Sequence, residues 1–181
     1  MAAQRTLGIN GIGRIGKLTL WHHLGRDDFD RFVVNTGRPV GTSLDSVVHY
    51  LSKDSTYGPL HRFLFGRSGT RDMSVVDEEK GLIRAYGKEI LVLREARNPK
   101  DIPWRENGVA LVVDCTGMFR DPREDADASR GALSGHLVGG AAVVVQSSPF
   151  KSAQKGAPLP DHAAILIHGI NDYQFDPARH T

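Results

Sequence analysis

Residues 8 to 16 read Gly-Ile-Asn-Gly-Ile-Gly-Arg-Ile-Gly, and the fold is best deduced from this stretch. A short apolar strand runs into Gly11, Gly13 and Gly16, and a helical pattern follows at once. In a dinucleotide-binding turn, the first glycine permits the tight turn, the second lets the backbone approach a pyrophosphate, and the third allows close packing of helix on strand. The N-terminus of the helix then offers unpaired N–H groups to the phosphates. The order of strand, turn and helix therefore predicts a nucleotide-binding turn.

The composition is that of an ordinary globular domain. The chain has 181 residues, 24% of them charged, and a net charge of +2. Lys and Arg are dispersed, so we expect no nucleic-acid partner, and the absence of a long apolar run predicts no membrane partner. The chain starts almost directly with a strand, so no signal peptide is expected. A single cysteine fits a reducing compartment, and the sequence predicts a cytoplasmic protein.

Apolar strand patterns alternate with helical ones along the chain. Four short β-like pieces, separated by glycines, interrupt this alternation between residues 54 and 94 and predict a small antiparallel insertion. The fold class is therefore α/β, a Rossmann-type doubly wound fold with a mainly parallel sheet. Strands are predicted at 7–10, 31–35, 109–115, 142–146 and 164–167, helices at 14–25, 42–52 and 121–137, and the β-like pieces at 63–65, 73–76, 82–86 and 90–93.

Several further motifs occur in an order that resembles one enzyme family. Besides the glycine turn, these are Lys53-Asp54-Ser55-Thr56-Tyr57-Gly58, Asp114-Cys115-Thr116-Gly117-Met118-Phe119, His136-Leu137, Gly139-Gly140-Ala141, Ser147-Ser148-Pro149 and Gly169-Ile170-Asn171. Together they resemble the phosphorylating glyceraldehyde-3-phosphate dehydrogenases. The resemblance implies a dinucleotide-binding domain over residues 1–171, with residues 172–181 beginning a catalytic domain. It also implies that the whole enzyme is a homotetramer converting an aldehyde phosphate, phosphate and NAD(P)⁺ to an acyl phosphate and NAD(P)H.

The resemblance also implies where the cofactor binds. Arg14 and Ile15 would cover the pyrophosphate, Arg97 would lie near the adenosine, and Ser147 would lie on the nicotinamide side. Thr116 and Gly117 would follow the path of the ribose. The expected cofactor-binding residues are Gly11, Gly13, Arg14, Ile15, Gly16, Asn35, Thr36, Arg38, Arg97, Thr116, Gly117 and Ser147.

One departure from the family pattern bears on the choice of cofactor. The family has an aspartate after the asparagine that ends the second strand, but here Thr36 follows Asn35. A carboxylate there would accept hydrogen bonds from the ribose hydroxyls and repel a 2′-phosphate. Thr36-Gly37-Arg38 removes that repulsion and adds a cation, which favours NADP over NAD. In the alternative interpretation, Arg38 points into solvent and NAD still binds.

The family's catalytic motif, Ser-Asn-Ala-Ser-Cys-Thr-Thr-Asn, is absent from the chain. Covalent oxidation of an aldehyde needs a thiolate nucleophile, and we expect Cys115, the only cysteine, to be a buried structural residue. The chain alone is therefore expected to be inactive. The alternative is a non-catalytic nucleotide-binding or sensor module. Neither a catalytic residue nor a metal site is predicted, since the adjacent His22 and His23 face different directions on a helix.

Overall fold

The computed structural model describes residues 4–37, 40–41, 43–151, 156 and 158–181. Strands and helices alternate between residues 6 and 51 and again between residues 109 and 146. In chain order, the elements are β1 (Thr6–Asn10), α1 (Arg14–Leu24), β2 (Arg31–Asn35), α2 (Leu44–Leu51), β3 (Lys53–Asp54), β4 (Gly58–Pro59), α3 (Leu60–Phe65), β5 (Met73–Asp77), β6 (Leu82–Ala85), β7 (Lys88–Leu93), β8 (Val109–Asp114), α4 (Gly135–Val138) and β9 (Val143–Gln146). Single 3₁₀ turns occupy Gly66–Ser68, Pro99–Asp101 and Asp172–Gln174.

The main sheet has seven strands in the order β5-β6-β7-β2-β1-β8-β9. β1 lies between β2 and β8, and it runs parallel to both. β7 and β9 extend this parallel part on either side, and β5 and β6 continue the sheet beyond β7 as antiparallel strands. The predicted α/β class, the mainly parallel sheet and its antiparallel insertion are thus confirmed. The insertion is an edge of the main sheet, and β3 and β4 form a separate two-stranded ladder.

Apolar side chains cover both faces of the parallel strands. Phe32 and Val34 pack in the cluster that contains α1 and α2, whereas Val33 packs on the other side with Val112 and Trp104. This alternation explains why the Phe-Val-Val run of β2 is apolar at every position. The two tryptophans, Trp21 and Trp104, are completely buried, one in each of these clusters.

Two predicted elements in the first half of the chain differ from the structure. The sequence pattern predicts a β-like piece at residues 63–65, but these residues end helix α3. Leu60 and Leu64, four residues apart, both contact the core, and this is helical spacing. The helix predicted from residue 42 begins at Leu44, where Ser43 accepts a hydrogen bond from the Ser46 N–H; Thr42 lies outside the described residues.

The helix predicted at 121–137 is mostly a series of turns, and only Gly135–Val138 is helical. Asp121 accepts a hydrogen bond from the Arg123 N–H, and Asp125 accepts one from the Asp127 N–H. Such local side-chain bonds offer the backbone an alternative to the helix.

The strand predicted at 164–167 is also wrong, because no ladder forms there. The Asn171 side chain occupies the backbone groups that a strand would use, accepting from the Ile167 N–H and donating to the Ile165 carbonyl.

Within the described ranges, no helix has the length and apolar character needed to cross a membrane.

Candidate nucleotide site

The glycine turn joins the end of β1 to the start of α1. Gly11 has a φ of +87°, and its N–H donates to the Asn35 carbonyl at 2.8 Å. A Cβ on Gly11 would lie 2.9 Å from the Thr116 methyl carbon. Only glycine accepts both this conformation and this approach without strain. The turn therefore connects the ends of β1 and β2 and touches the segment after β8.

The other two glycines have opposite surroundings. A Cβ on Gly16 would lie 1.9 Å from the Gly11 carbonyl oxygen, so only glycine allows this approach of the helix to the turn. A Cβ on Gly13 would have no atom within 4 Å. Gly13 is the N-cap of α1, a helix of 11 residues, and no side chain caps it. The space above Gly13 and the uncapped N-terminus fit the pyrophosphate of a dinucleotide.

Side chains beside the turn hold it in place. The Tyr50 hydroxyl donates to the Ile12 carbonyl at 2.8 Å, and the Lys17 ammonium lies 4.0 Å from the centre of the Tyr50 ring. Lys17 also donates to Asp54, whose other oxygen lies 3.6 Å from Arg14 Nε. The pKa of Asp54 is lowered, and the largest cause is the hydrogen bond that its carboxylate accepts from the Thr56 N–H.

At the start of the helix, Arg14 and Ile15 are both accessible. More than half of each is exposed, with 53% for the Arg14 side chain and 53% for Ile15. An exposed isoleucine next to the glycine turn offers an apolar contact to a bound ligand. Their predicted role at the pyrophosphate stays a prediction.

Three of the predicted cofactor-binding residues, Asn35, Thr36 and Arg97, come together at the end of β2. Asn35 is buried, and its amide donates to the Ala96 carbonyl at 3.0 Å. The Thr36 N–H and hydroxyl both donate to the Leu93 carbonyl, at 2.9 and 3.3 Å. Arg97 Nε donates to the carbonyl of Gly37 at 3.1 Å, which joins the loop after β7 to the end of β2. Arg38 lies outside the described residues.

On the other side of the turn, Thr116 and Gly117 follow β8. The Thr116 N–H and hydroxyl donate to one oxygen of Asp114, at 2.9 and 2.6 Å. Gly117 has a φ of +66°, and a Cβ there would meet no atom within 4 Å. This segment therefore has a fixed backbone and an open surface next to Gly11.

Ser147 lies after β9, where its N–H donates to the Asp114 carbonyl at 3.0 Å. Its side chain is hydrogen-bonded to the Cys115 thiol, and the Thr19 hydroxyl lies 4.0 Å from the same sulfur. Burial raises the pKa of Cys115 above its usual value, because it penalises the thiolate, and these hydrogen bonds do not cancel the effect. Cys115 is partly buried rather than fully buried as predicted, and its contacts are consistent with a structural role.

Polar residues form a row at the ends of the parallel strands, and sequence reasoning found only Asn35 among them and missed the other three. β2, β1, β8 and β9 end at Asn35, Asn10, Asp114 and Gln146, which are in register. Each follows an apolar run, and this repeated polar ending is the signal that could have found them. Burial raises the pKa of Asp114, but hydrogen bonds from His136, Thr116 and Asn10 outweigh it, so the net pKa lies below the ordinary range.

All of the predicted residues that the structure describes therefore lie along one edge of the sheet. This edge is the carboxyl end of the parallel strands. It contains a topological switch point, because β2 and β8 lie on opposite sides of β1. Nucleotides bind in this crevice in doubly wound folds. Among the residues placed by the structure, no group of three or more His, Cys, Asp or Glu could hold a metal ion. The fold and this site define a dinucleotide-binding domain of the Rossmann type.

Comparison with known proteins assigns the family. The sequence model of the glyceraldehyde 3-phosphate dehydrogenase NAD-binding domain matches residues 5–122, so the chain belongs to this family. The glyceraldehyde-3-phosphate dehydrogenase of Streptomyces coelicolor is 35% identical over 175 residues, covering 96% of this chain and 42% of that protein. The cytosolic enzyme of Ginkgo biloba is 31% identical over 171 residues, covering 94% and 41%. The cytosolic enzyme of Pisum sativum is 30% identical over 177 residues, covering 98% and 43%. The chain thus spans about two fifths of the length of these relatives.

Proposed function

We propose that this chain binds a nicotinamide dinucleotide along the carboxyl edge of its sheet and forms the cofactor-binding half of an oxidoreductase of the glyceraldehyde-3-phosphate dehydrogenase type. The observation that carries this proposal is the glycine turn. Gly11 and Gly16 are required by contacts within the protein, but Gly13 is not, since nothing lies within 4 Å of its missing side chain. The space at Gly13 is therefore available to a ligand.

We assign each part of the cleft to one part of the dinucleotide. The first turn of α1 receives the pyrophosphate on its N–H groups, and Arg14 adds a positive charge beside it. Asn35, Thr36 and Arg97 surround the adenosine end. Thr116 and Gly117 lie along the ribose, and Ser147 lies on the nicotinamide side. When bound, the cofactor supplies the acceptor for a hydride.

We also propose that the site prefers NADP. Thr36 occupies the position where a carboxylate would repel the 2′-phosphate, and its hydroxyl donates to a backbone carbonyl. The site therefore keeps no negative charge at that position. The family model describes an NAD-binding domain, so NAD is the cofactor expected if Thr36 does not determine the preference.

The reaction proposed for the whole enzyme converts an aldehyde phosphate, phosphate and NAD(P)⁺ to an acyl phosphate and NAD(P)H. The names of the plant relatives suggest a cytoplasmic location, and the family resemblance suggests a homotetramer. The nucleophile of this reaction is a cysteine, and the only cysteine of this chain is Cys115. Its raised pKa disfavours the thiolate, so we propose that a catalytic domain outside residues 1–171 supplies the nucleophile.

The same observation favours a second candidate function, a nucleotide-binding or sensor module without catalysis. Both functions predict cofactor binding by this chain, and they differ in activity. Full-length protein from the source gene, assayed with an aldehyde phosphate, phosphate and either cofactor, would form NAD(P)H only under the first proposal.

Calorimetric titration of the chain with NAD⁺ and with NADP⁺ in one buffer tests the binding proposal. We expect binding of both cofactors, with NADP⁺ tighter. Tighter binding of NAD⁺ would reject the proposed preference and keep the site. If neither cofactor binds, the proposed function is wrong for this chain.

A further inference from the structure

Asp114 lies at the centre of a buried hydrogen-bond network under the proposed site. Its side chain is completely buried at the end of β8. One oxygen accepts from Asn10 Nδ2 at 2.8 Å and lies 3.0 Å from His136 Nε2. The other oxygen accepts both the N–H and the hydroxyl of Thr116. Four donors thus converge on one carboxylate.

The donor and acceptor roles of the two His136 ring nitrogens are fixed by a neighbouring tryptophan. Trp104 Nε1–H donates to His136 Nδ1 at 2.9 Å, so Nδ1 is an acceptor. The ring proton is therefore on Nε2, which donates to Asp114. Both His136 and Trp104 are completely buried and cannot contact a ligand in the cleft.

On the other side, the network continues to the adenosine end of the cleft. Asn10 donates to Asp114, and the Asn35 amide donates to Asn10 Oδ1 at 2.8 Å. The same Asn35 nitrogen donates to the Ala96 carbonyl, just before Arg97. The bonds of Asp114 therefore reach two regions of the proposed site, the loop at Thr116 and the end of β2.

We propose that Asp114 is a positioning residue for the bound dinucleotide, which it holds through the Thr116 loop and through Asn10 and Asn35 without touching the ligand. The inference rests on the proposed function, because it concerns the same cleft. A carboxylate suits this position because it has only acceptors. An amide of the same shape would present its NH₂ group to at least one of the four donors, and that donor would lose its partner.

The first test compares the wild-type chain with Asp114→Asn and with Asp127→Asn. Asp127 is the matched control, since its side chain is 85% exposed and forms a surface ion pair with Lys100, so this variant removes an equal charge from outside the network. We expect Asp114→Asn to weaken binding of NAD⁺ and NADP⁺ about tenfold or more through misplacement of the loop. The control is expected to bind within about twofold of wild type.

A second test uses His136, and it serves also if Asp114→Asn does not fold. The amide nitrogen of His136→Gln takes the place of Nε2 and keeps a donor for Asp114. The amide nitrogen of His136→Asn takes the place of Nδ1 and leaves Asp114 without this donor. We expect His136→Asn to weaken binding about fivefold or more and His136→Gln to restore most of the loss, given the usual value of a hydrogen bond to a charged group.

Amide hydrogen exchange adds a measurement in the free protein. The Thr116 N–H, and the Met118 N–H that donates to the Thr116 hydroxyl, should exchange faster in Asp114→Asn and in His136→Asn. Those of β2 should keep their protection. A wild-type chain that binds neither cofactor would overturn the proposed function and this inference with it. A wild-type chain that binds, with Asp114→Asn or both His136 variants binding equally well, would overturn this inference alone.

Discussion

Replacement of Gly16 by alanine is expected to disturb the turn because of its contact with Gly11. The new Cβ would lie 1.9 Å from the Gly11 carbonyl oxygen, whereas real Cβ atoms essentially never approach closer than 3.0 Å, so the two atoms must separate by about 1.1 Å. The oxygen is a backbone atom and the Cβ is bonded directly to the backbone, so no rotamer change relieves the clash. Overpacking of this kind costs roughly 3 kcal/mol at the upper end of its range, and the better helix propensity of alanine offsets about 1 kcal/mol.

The net loss of about 2 kcal/mol corresponds to a fall in Tm of roughly 4–8 °C for a chain of this size. Thermal unfolding followed by circular dichroism measures it. Because Gly11 must move, binding of NAD⁺ or NADP⁺, measured by calorimetry, should weaken together with the stability.

Gly13→Ala is the matched variant that separates ligand approach from packing. Gly13 has a φ of −60° and a ψ of −168°, which alanine accepts, and its Cβ meets no protein atom within 4 Å. The free energy of unfolding should change by less than about 1 kcal/mol. Cofactor binding should weaken at least about tenfold, or about 1.4 kcal/mol, because the Cβ occupies the space proposed for the pyrophosphate.

Unfolding of Gly16→Ala at the wild-type Tm would refute the steric role of Gly16, since the close approach to Gly11 would then have no cost. Binding of the cofactor by Gly13→Ala as tightly as by wild type would refute the role of Gly13, since the pyrophosphate would then not approach the backbone at this position.

Thr36→Asp should lower the affinity for NADP⁺ relative to NAD⁺ about tenfold by repelling the 2′-phosphate, and unchanged relative affinities in paired titrations would show that Thr36 does not determine the preference. Tyr50→Phe should lower the free energy of unfolding in urea by about 1 kcal/mol, because the hydroxyl can no longer donate to the Ile12 carbonyl; an unchanged value would show that this bond does not stabilise the turn. Asp114 has a lowered folded pKa, so its ionisation stabilises the protein above the unfolded value of about 3.9 and this contribution is lost as the pH falls through the folded pKa. The stability difference between wild type and Asp114→Asn should therefore shrink below about pH 4, and a constant difference in urea titrations would contradict this. Cys115 should react with a disulfide reagent at about pH 7.5 at least about tenfold slower than free cysteine, because partial burial raises its pKa, and equally fast reaction would contradict this shielding of the thiol.

The parts of the fold that depend on local pattern could be predicted from the sequence. The range of β2 agrees with the prediction, because its apolar residues are buried on both faces of the sheet and form a continuous apolar run. The glycine turn was also predictable, since its characteristic glycine spacing lies within nine consecutive residues. The prediction of a helix at 121–137 was wrong because aspartate side chains accept hydrogen bonds from the local backbone. Composition alone does not reveal these bonds.

The network at Asp114 could not be predicted in the same way. Asn10 and Asp114 are separated by 104 positions, and they meet only because β8 lies next to β1 in the sheet. No local period encodes that neighbour relation. The tautomer of His136 depends on Trp104, 32 positions away, and thus also required the structure.

The central position of β1 has a consequence for how this chain folds during its synthesis. β1 is made well before its partner β8, which begins only at Val109. Until the ribosome has released that strand, one edge of β1 has open backbone hydrogen-bonding groups, and Thr116, which packs against Gly11, has not yet been made. Pairing over such a sequence distance is slow, and a nascent strand with an open edge is a target for aggregation. A chaperone that covers the first strand until β8 emerges would therefore be expected to raise the yield of folded protein.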